Sequence, residues 1–255
     1  MVTAPTRREM FQRFRRSLAD PDGGGEQFAL GLAQRTVASF PLPLEGARVL
    51  DLGSGSGWYA PLLAEAGAEV VAVDHDRAMV ARAAARASQA VVADARRTPF
   101  EDASFDGVLC SNLLEHTPEP GAVIAEIERV LRPWGWAYVS WTNWLSPWGG
   151  HSIAPFHYLG PRLGLRVYRR LFGEPREGGL PYEDVWPVSI GAILRIVEER
   201  PGLALERAVP RYYPSQAWIL RVPGLREVLT WNCLLLLRRV GSTGTDGGLA
   251  ARPPG

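Results

Sequence analysis

The chain contains 255 residues, which suffices for one sizeable α/β domain with additions or for two small domains. Hydrophobic residues make up 46% of the chain and charged residues 22%, and the formal net charge is +1. These values are typical of a globular protein. They exclude a disordered chain and one that coats nucleic acid through a strongly basic surface.

The first part of the chain predicts a helical cap. The apolar spacing of Phe11–Leu18 and of Phe28–Phe40 is that of amphipathic helices, and the glycine-rich stretch Asp20–Gly25 between them predicts a break. Residues Met1–Asp20 lack the apolar centre of a secretory signal. We therefore expect a cap, residues 1–44, that packs outside a core beginning later in the chain.

Residues 45–142 alternate between short apolar stretches and helical patterns, which predicts a core domain built on a parallel sheet with crossover helices. The predicted strands are Arg48–Leu52, Glu69–Val73, Ala90–Ala93, Phe105–Ser111 and Trp136–Thr142. The predicted helices between them are Tyr59–Ala66, Arg77–Ala87 and Gly121–Leu131.

The alternation stops after this core. Residues 143–200 are rich in Trp, Tyr, His, Pro and Gly and end in a helical pattern at Ser189–Glu199, so they predict an insertion over the carboxyl edge of the sheet. Residues 241–255 have no periodicity and predict a disordered tail. Residues 201–240 predict two closing strands around a helix, namely Leu203–Val209, Ser215–Leu229 and Asn232–Val240.

Neither the cysteines nor the apolar stretches predict a secreted or membrane-spanning protein. Cys110 and Cys233 both lie in predicted strands, without the spacing of a disulfide framework or a zinc site. No stretch approaches the roughly 20 apolar residues that span a bilayer. We expect a cytoplasmic protein without an integral membrane segment. Trp218–Pro223 and Leu234–Leu237 leave peripheral membrane contact open, although a final strand explains the second stretch more simply.

A glycine-rich turn follows the first predicted strand. Gly53, Gly55 and Gly57 stand at alternate positions, and without a Cβ they let a bulky ligand approach the backbone. A dinucleotide fingerprint would need the spacing Gly-x-Gly-x-x-Gly, and here an acid, Asp51, stands at the end of the strand. This difference favours S-adenosylmethionine (SAM) over a nicotinamide dinucleotide as the ligand.

An acid stands at the end of each of three successive predicted strands, which makes the signal more specific than the glycine-rich turn alone. Asp51 suits the ammonium group of the methionine part of SAM. Asp74 lies where an acid can accept both ribose hydroxyls, and Asp94 can accept from the adenine amino group, with Ala95 beside the ring. The predicted cofactor-binding residues are Asp51, Gly53, Ser54, Gly55, Gly57, Asp74, His75, Asp94, Ala95, Ser111 and Asn112.

With these residues the sequence resembles the methyltransferase type 11 family of class I SAM-dependent methyltransferases. The resemblance covers residues 45–142 and rests on four stretches, namely 51–57, 94–106, 112–116 and 128–135. The family usually has a second glycine in place of Trp134. Three later stretches resemble a group of actinobacterial methyltransferases, namely 149–151, 157–160 and 210–214.

The resemblance and the strand pattern together predict an α/β fold. We expect a Rossmann-like, seven-stranded and mostly parallel sheet with helices on both faces and an aromatic-rich insertion after strand 5. The resemblance implies SAM as the cofactor and S-adenosylhomocysteine as its product.

Methyl transfer to a hydroxyl needs a base, because a hydroxyl is a weak nucleophile at neutral pH. His75 follows Asp74 and is expected at the edge of the cofactor. His116 follows the fourth predicted strand, and His151 and His157 lie in the insertion. We expect the general base among these three, His151 first, and a structural role for each stays open.

Aromatic and basic residues are concentrated around the insertion. Aromatic faces and guanidinium groups suit a hydrophobic or glycosidic acceptor that carries phosphate or carboxylate. The same residues can instead form a lid that is packed by its own aromatic rings, with a solvated basic helix face. They are Trp141, Trp144, Trp148, Phe156, Tyr158, Tyr168, Arg162, Arg166, Arg169 and Arg170.

These features together predict SAM-dependent methyl transfer, most readily O-methylation, to a small-molecule acceptor or to a lipid-linked or sugar-linked one. The alternatives are a catalytically silent SAM-binding scaffold and an NAD(P)-dependent oxidoreductase on a similar sheet. We expect no nucleic-acid partner, because the charge is near neutral. We also expect no metal, because the sequence has no compact cluster of His, Asp and Glu with ligand spacing. The oligomeric state is not predicted.

Overall fold

The structure is a computed structural model. It describes residues 8, 9, 12, 23–38, 43–175 and 180–241. The predicted helix at Phe11–Leu18 and the predicted tail from residue 242 onward therefore lie outside the described residues, apart from Gln12.

A seven-stranded sheet forms the centre of the fold, in the order β3-β2-β1-β4-β5-β7-β6. The strands are β1 (Arg48–Leu52), β2 (Glu69–Asp74), β3 (Gln89–Val92), β4 (Phe105–Ser111), β5 (Leu131–Thr142), β6 (Leu203–Pro210) and β7 (Asn232–Arg239). The first five strands pair in parallel, and β7 runs antiparallel to both β5 and β6. The predicted seven-stranded, mostly parallel sheet is confirmed.

Helices cover both faces of this sheet. They are α1 (Gly23–Ala38), α2 (Ala60–Glu65), α3 (Arg77–Ala83), α4 (Pro120–Val130), α5 (Pro161–Phe172), α6 (Ile190–Glu198) and α7 (Leu225–Leu229). Successive residues of a strand point to opposite faces. Val49 of β1 accordingly belongs to the apolar cluster that includes α1 and α2, while its neighbour Leu50 belongs to the cluster that includes α4 and α6.

The N-terminal helix begins earlier than predicted. The glycines Gly23–Gly25, which we expected to break the chain, form the first turn of α1. Glycine lowers helix stability by about 1 kcal/mol without forbidding the conformation, and tertiary contacts of the following turns can offset this cost. Ala33 and Val37 of α1 are buried in one cluster with Val49 and Val70 of the sheet, which provides those contacts.

Two further helix predictions are wrong in extent. The helix expected at Arg77–Ala87 ends at Ala83, because β3 pairing starts at once: Ser88 N donates to Val70 O at 3.0 Å. The helix expected at Ser215–Leu229 is divided into a 3₁₀ helix, Pro214–Arg221, and α7. Pro223 lacks the amide hydrogen that a continuous helix needs, and Gly224 follows it with a φ of +85°.

The strand β5 starts before its predicted first residue, Trp136. Phe105 pairs with Leu131, directly after α4, and a register shift precedes the pair Gly107–Trp136. Trp136 packs where Gly107 has no side chain, since a Cβ there would lie 2.2 Å from its ring. The missing side chain at Gly107 therefore makes room for the large ring on β5.

The apolar stretch Leu234–Leu237 lies within β7, between β5 and β6, and Leu235 to Leu237 are buried. A strand with neighbours on both sides accounts for this stretch without a lipid partner, as the simpler interpretation predicted. Within the described residues, none of the helices has the length and apolar character needed to cross a bilayer.

Candidate active site

The predicted site residues meet at the carboxyl edge of the parallel strands. Strand β1 lies at the centre, with β2 on one side and β4 on the other, so the connections from β1 and β4 leave in opposite directions. In open α/β sheets, ligands bind at this switch point, outside the carboxyl ends of the strands. The loops after β1, β2 and β4 all open here, and each contains residues that the sequence predicted for cofactor binding.

The glycine-rich turn after β1 is held against β2 by its backbone. The amides of Gly53 and Ser54 donate to Val73 O at 2.8 and 2.9 Å. Gly53 and Gly55 have φ values of +74° and +52°, which disfavour residues with a Cβ. A Cβ on Gly53 would lie 2.8 Å from Leu113 Cδ1, whereas a Cβ on Gly55 would have no atom within 4 Å. The turn thus presents bare backbone to open space at Gly55.

Asp74 fixes the tip of this turn from the end of β2. Its Oδ2 accepts from the Gly55 amide at 2.9 Å, and its Oδ1 accepts from the Asp76 amide at 3.0 Å. His75, next along the chain, is exposed, and its Nδ1 lies 3.3 Å from Asp74 Oδ1. Asp74 and His75 therefore lie beside the glycine-rich turn, and their roles in cofactor binding stay predictions.

Asp51 is a buried carboxylate with unused hydrogen-bonding capacity. Only 1% of the residue is exposed, and its Oδ2 has no partner in the part of the chain that the structure describes. Burial, together with the nearby negative charge of Asp74, raises the pKa of Asp51 to about 7. A cationic ligand group would stabilise the ionised form, so Asp51 fits a site for an ammonium group.

Asp94 is held by a neighbouring arginine in the loop after β3. Arg96 donates to its carboxylate from Nε and from NH2, the latter at 2.6 Å, and also from its backbone amide at 2.8 Å. The hydrogen bonds from Arg96 lower the pKa of Asp94. Arg96 also pairs with Glu119. Asp94 is thus anchored by a neighbouring arginine, and Ala95 beside it packs partly buried against the core.

The end of β4 contributes the polar pair Ser111 and Asn112. The hydroxyls of Ser111 and Tyr59 lie 3.0 Å apart. Asn112 has a φ of +55°, and its amide donates to Ser140 O at 2.8 Å. This conformation, which asparagine tolerates better than most residues, turns the chain away from the sheet directly beside the glycine-rich turn.

Arg211, which sequence reasoning did not assign to the site, joins these loops from the end of β6. It donates to Tyr59 OH at 2.6 Å, and its other acceptors are Thr36 Oγ1, Ser140 Oγ and Asn112 Oδ1. All four acceptors are uncharged, and Arg211 has no carboxylate partner among the described residues. Its charge is therefore available to an anionic group of a ligand. The stretch 210–214 had marked this segment only as a family resemblance.

Three side chains converge in the loops after β4 and β5. Glu115, His116 and His151 each offer one nitrogen or oxygen atom, and these atoms all lie within 4.8 Å of one another. The sequence has no such cluster at ligand spacing, because its members come from two distant segments. The expectation that the protein binds no metal stays a prediction. The fold brings His151 of the insertion to Glu115 and His116, which are adjacent in the chain.

The members of this cluster differ in their surroundings. Glu115 is buried; its Oε1 accepts from the Thr142 amide at 2.8 Å, and its Oε2 is buried without a partner in the described structure. His116 is exposed, and its Nδ1 lies 2.8 Å from Asp184 O. His151 Nε2 is buried and unpaired, and the rings of His116 and His151 meet edge to face at 5.2 Å.

Burial shifts the pKa values of two of these groups in opposite directions. Burial raises the pKa of Glu115. Burial, with smaller effects of His116 and His157, lowers the pKa of His151 to about 4. The imidazole of His151 is therefore neutral at neutral pH. A base of such low pKa has little driving force for removing the proton of a hydroxyl by itself.

His157 is placed differently from the other predicted catalytic histidines. It is fully buried, its Nε2 lies 3.0 Å from Ser146 O, and Trp144 meets its ring edge to face. A Cβ on Gly150 would lie 2.4 Å from the His157 ring. These contacts favour a packing role for His157 inside the insertion.

The insertion is held together largely by its own aromatic rings. Phe156, Tyr168 and Phe172 contact one another, and Trp148 contacts Trp231, which directly precedes β7. Of the predicted acceptor-binding residues, Trp141 and Trp144 are buried, while Trp148 and Tyr158 are exposed. The contacts favour the self-packed lid. The exposed rings leave an apolar surface at its margin.

Comparison with known proteins identifies the family of this chain. A family model described as a methyltransferase domain matches residues 50–139. An uncharacterized methyltransferase of Mycobacteroides abscessus is 38% identical over 232 residues, which covers 84% of this chain and 87% of that protein. The chain belongs to the SAM-dependent methyltransferases. An uncharacterized methyltransferase of Mycolicibacterium gilvum is 36% identical to this enzyme, covering 90% of the chain and 92% of the relative.

Solved structures agree with the fold of the methyltransferase. A SAM-dependent methyltransferase from Mesorhizobium loti superposes with a TM-score of 0.56 at 23% identity, covering 82% of this chain and 98% of that one. The [4+2]-cyclase SpnF superposes with a TM-score of 0.54 at 19% identity, covering 84% and 83% of the two chains. At such identities the likeness shows the fold alone, and SpnF is named for a different reaction.

SAM is thus the cofactor of this enzyme, and the nicotinamide alternative is not supported. The site residues fit the cofactor: Asp51 has a buried oxygen without a partner, and bare backbone at Gly55 faces open space. Both features suit the ammonium and the polar atoms of a methionine moiety.

Proposed function

We propose that the enzyme methylates an oxygen atom of a small-molecule acceptor or of a lipid-linked or sugar-linked one. The observation that carries this proposal is the pair of unpaired buried atoms, Glu115 Oε2 and His151 Nε2, in the cluster beside the loop after β4. Buried polar atoms without partners are costly, and they are most common at sites that bind ligands. A hydroxyl group is small enough to enter the cluster and can donate a hydrogen bond to either atom.

The cofactor would be held by the residues that the sequence predicted. Asp51 would accept from the ammonium group, and the turn from Gly53 to Gly57, with Ser54, would enclose the methionine part. Asp74 would accept from the ribose hydroxyls, since each of its oxygens keeps a lone pair beyond the bond to a backbone amide. His75, Asp94, Ala95, Ser111 and Asn112 would line the remainder.

Bound SAM supplies an electrophilic methyl group on a sulfonium. The chain's contribution is then to align the acceptor oxygen with that group and to keep water out. Such positioning can supply roughly 7–11 kcal/mol of the barrier. Glu115 and His151 are suited to hold the acceptor hydroxyl, because one is fixed by the Thr142 amide and the other is packed against His116.

The surface around the cluster indicates the acceptor class. Trp148 and Trp231 are partly exposed and contact each other, and an aromatic margin suits apolar chains and the apolar faces of sugar rings. Arg211 offers a positive charge that no described carboxylate neutralises. A hydrophobic or glycosidic acceptor therefore fits, and a carboxylate or phosphate on it would find a partner in Arg211.

The atom that receives the methyl group can be identified directly. The purified enzyme is incubated with SAM labelled with ¹³C in its methyl group and with fractionated small-molecule and lipid extracts. The carbon chemical shift of the labelled methyl then distinguishes methyl bound to oxygen, nitrogen or carbon. Labelled methyl on oxygen is expected. Label on nitrogen or carbon would overturn O-methylation, and normal SAM binding with no transfer to any fraction would favour the silent scaffold.

The site of the reaction is tested by His151→Ala, with Leu159→Ala in the same insertion as the control, since Leu159 is exposed. Both variants should bind S-adenosylhomocysteine as the wild type does. Only His151→Ala should lose turnover, by about a hundredfold, because the acceptor hydroxyl would no longer be held in place. Undiminished turnover would remove His151 from the reaction.

A further inference from the structure

The cluster of Glu115, His116 and His151 combines one carboxylate with two imidazoles. Three ligands of these types, with a further position left to water or substrate, are found in catalytic zinc sites. Zinc bonds of about 2.0–2.2 Å place neighbouring tetrahedral ligand atoms about 3.4 Å apart. The candidate atoms lie within 4.8 Å of one another, so no pair is more than about 1.4 Å wider than that spacing.

Two of the three residues have a buried side-chain atom that lacks a hydrogen-bond partner among the described residues. Glu115 is only 1% exposed, and its Oε2 is buried and unpaired, although its Oε1 is fixed by the Thr142 amide. His151 Nε2 is likewise buried and unpaired. A carboxylate oxygen and an imidazole nitrogen left in this way cost free energy, which a bound cation would recover.

The third ligand is oriented by a bond to the backbone. His116 Nδ1 lies 2.8 Å from Asp184 O, so Nδ1 donates the hydrogen and Nε2 keeps a free lone pair. Histidines that bind metals commonly donate their other ring nitrogen to a carbonyl or carboxylate in this way. His151, in turn, is held in a left-handed conformation with a φ of +45°. Backbone strain of this kind is concentrated at functional sites.

We propose that Glu115, His116 and His151 together bind one divalent transition-metal cation of the zinc class. Two imidazoles favour such ions over magnesium and calcium, which prefer oxygen ligands alone. Three protein ligands leave at least one coordination position open to water or substrate. His151 then acts as a metal ligand and not as a free base.

The use of the cation rests on the proposed function, whereas its binding does not. An acceptor hydroxyl in the open position would give up its proton to solvent more readily, because the cation stabilises the oxyanion. The oxygen would then form a bond to the methyl carbon while the carbon–sulfur bond breaks. The electron pair of the broken bond stays on sulfur. The products are the O-methylated acceptor, S-adenosylhomocysteine and one proton.

Cation binding is tested on untagged, full-length protein that has been stripped with a chelator. Cobalt(II) is titrated while the visible absorption of the ion is recorded, and zinc binding is measured by calorimetry. We expect one equivalent of cobalt per chain, with a visible spectrum typical of a cobalt ion of low coordination number. Glu115→Gln and His151→Gln should each weaken binding by at least about tenfold. Glu119→Gln, an exposed acid nearby, should change nothing.

Binding of S-adenosylhomocysteine to each variant checks that it is folded. A wild-type protein that binds no cobalt or zinc, or binding that survives both substitutions, would overturn the site. O-methylation that is undiminished after chelation would leave the proposed function intact and remove the cation from it. Stoichiometric metal binding with the label found on nitrogen would support the cation site and overturn O-methylation.

Discussion

The carboxylate of Asp74 holds the amide of Gly55 at 2.9 Å, so the end of β2 sets the shape of the turn that follows β1. The two residues come from different strands and are brought together by the parallel pairing of β1 with β2. One acid therefore both shapes the cofactor loop and offers lone pairs to the cofactor.

Replacement of Asp74 by alanine removes that bond together with the charge. A hydrogen bond to a charged group contributes about 1.5–3 kcal/mol, so we expect the affinity for S-adenosylhomocysteine to fall at least about tenfold. Calorimetric titration measures this loss. Asp102→Ala, at an exposed acid, provides the control. Equal affinities of the two variants would show that Asp74 does not contribute to cofactor binding.

Cofactor affinity should depend on pH through Asp51. Its pKa is raised to about 7 by burial, and an ammonium group binds to the ionised form. Affinity should therefore rise from about pH 5 to about pH 8, by up to tenfold per unit below the pKa. Calorimetry in buffers of different ionisation heat should detect protons released on binding. Asp51→Asn should flatten the profile. A wild-type affinity that is constant over this range would contradict the assignment.

The raised pKa of Asp51 has the opposite effect on the stability of the protein without cofactor: stability falls as the pH rises. Because the folded pKa of Asp51 lies above its ordinary value of 3.8, the acid stabilises the fold at low pH, and this stability is lost as the pH rises through about 7. Asp51→Asn should thus raise the free energy of unfolding at about pH 8, by at most about 4 kcal/mol. Denaturant titration without cofactor measures it, and a variant less stable at that pH than the wild type would refute it.

Gly55 and Gly46 form a matched pair for testing the cradle. Both have positive φ values, +52° and +70°, and a Cβ on either would meet no atom within 4 Å. Alanine at either position should cost about 1–2 kcal/mol of stability through backbone strain. Only Gly55→Ala should also weaken binding of S-adenosylhomocysteine, because only Gly55 lies in the turn. Equal affinities for the two variants would place the cofactor elsewhere.

Arg211 should attract the carboxylate of the methionine moiety or of the acceptor, because its charge has no described counter-ion. For the cofactor, we expect Arg211→Met to weaken S-adenosylhomocysteine at least about tenfold. Methylthioadenosine, which lacks the carboxylate, should bind as before. Arg207→Met, an exposed position in β6, is the control. If the variant binds S-adenosylhomocysteine and methylthioadenosine as the wild type does, Arg211 does not bind the cofactor carboxylate, and only the acceptor remains as its partner.

Much of the fold could be predicted because its signals are local. Apolar stretches alternating with helical patterns predicted all seven strands, and only their ends shifted, by up to five residues at β5. The errors at Gly23–Gly25 and at Ala84–Ala87 arose where tertiary contacts outweighed local preference. The single helix predicted at Ser215–Leu229 is wrong because Pro223 and Gly224 break the chain despite its apolar spacing.

The sequence by itself determined the cofactor, because the turn from Asp51 to Gly57 is contiguous and its chemistry is visible in adjacent residues. Only the tertiary structure decided the surroundings of the acceptor. His151 reaches Glu115, and Arg211 reaches Tyr59 and Asn112, through strands that are neighbours in the sheet and distant in the chain. Such contacts follow from strand order and loop packing, and neither leaves a periodic trace in the amino-acid sequence.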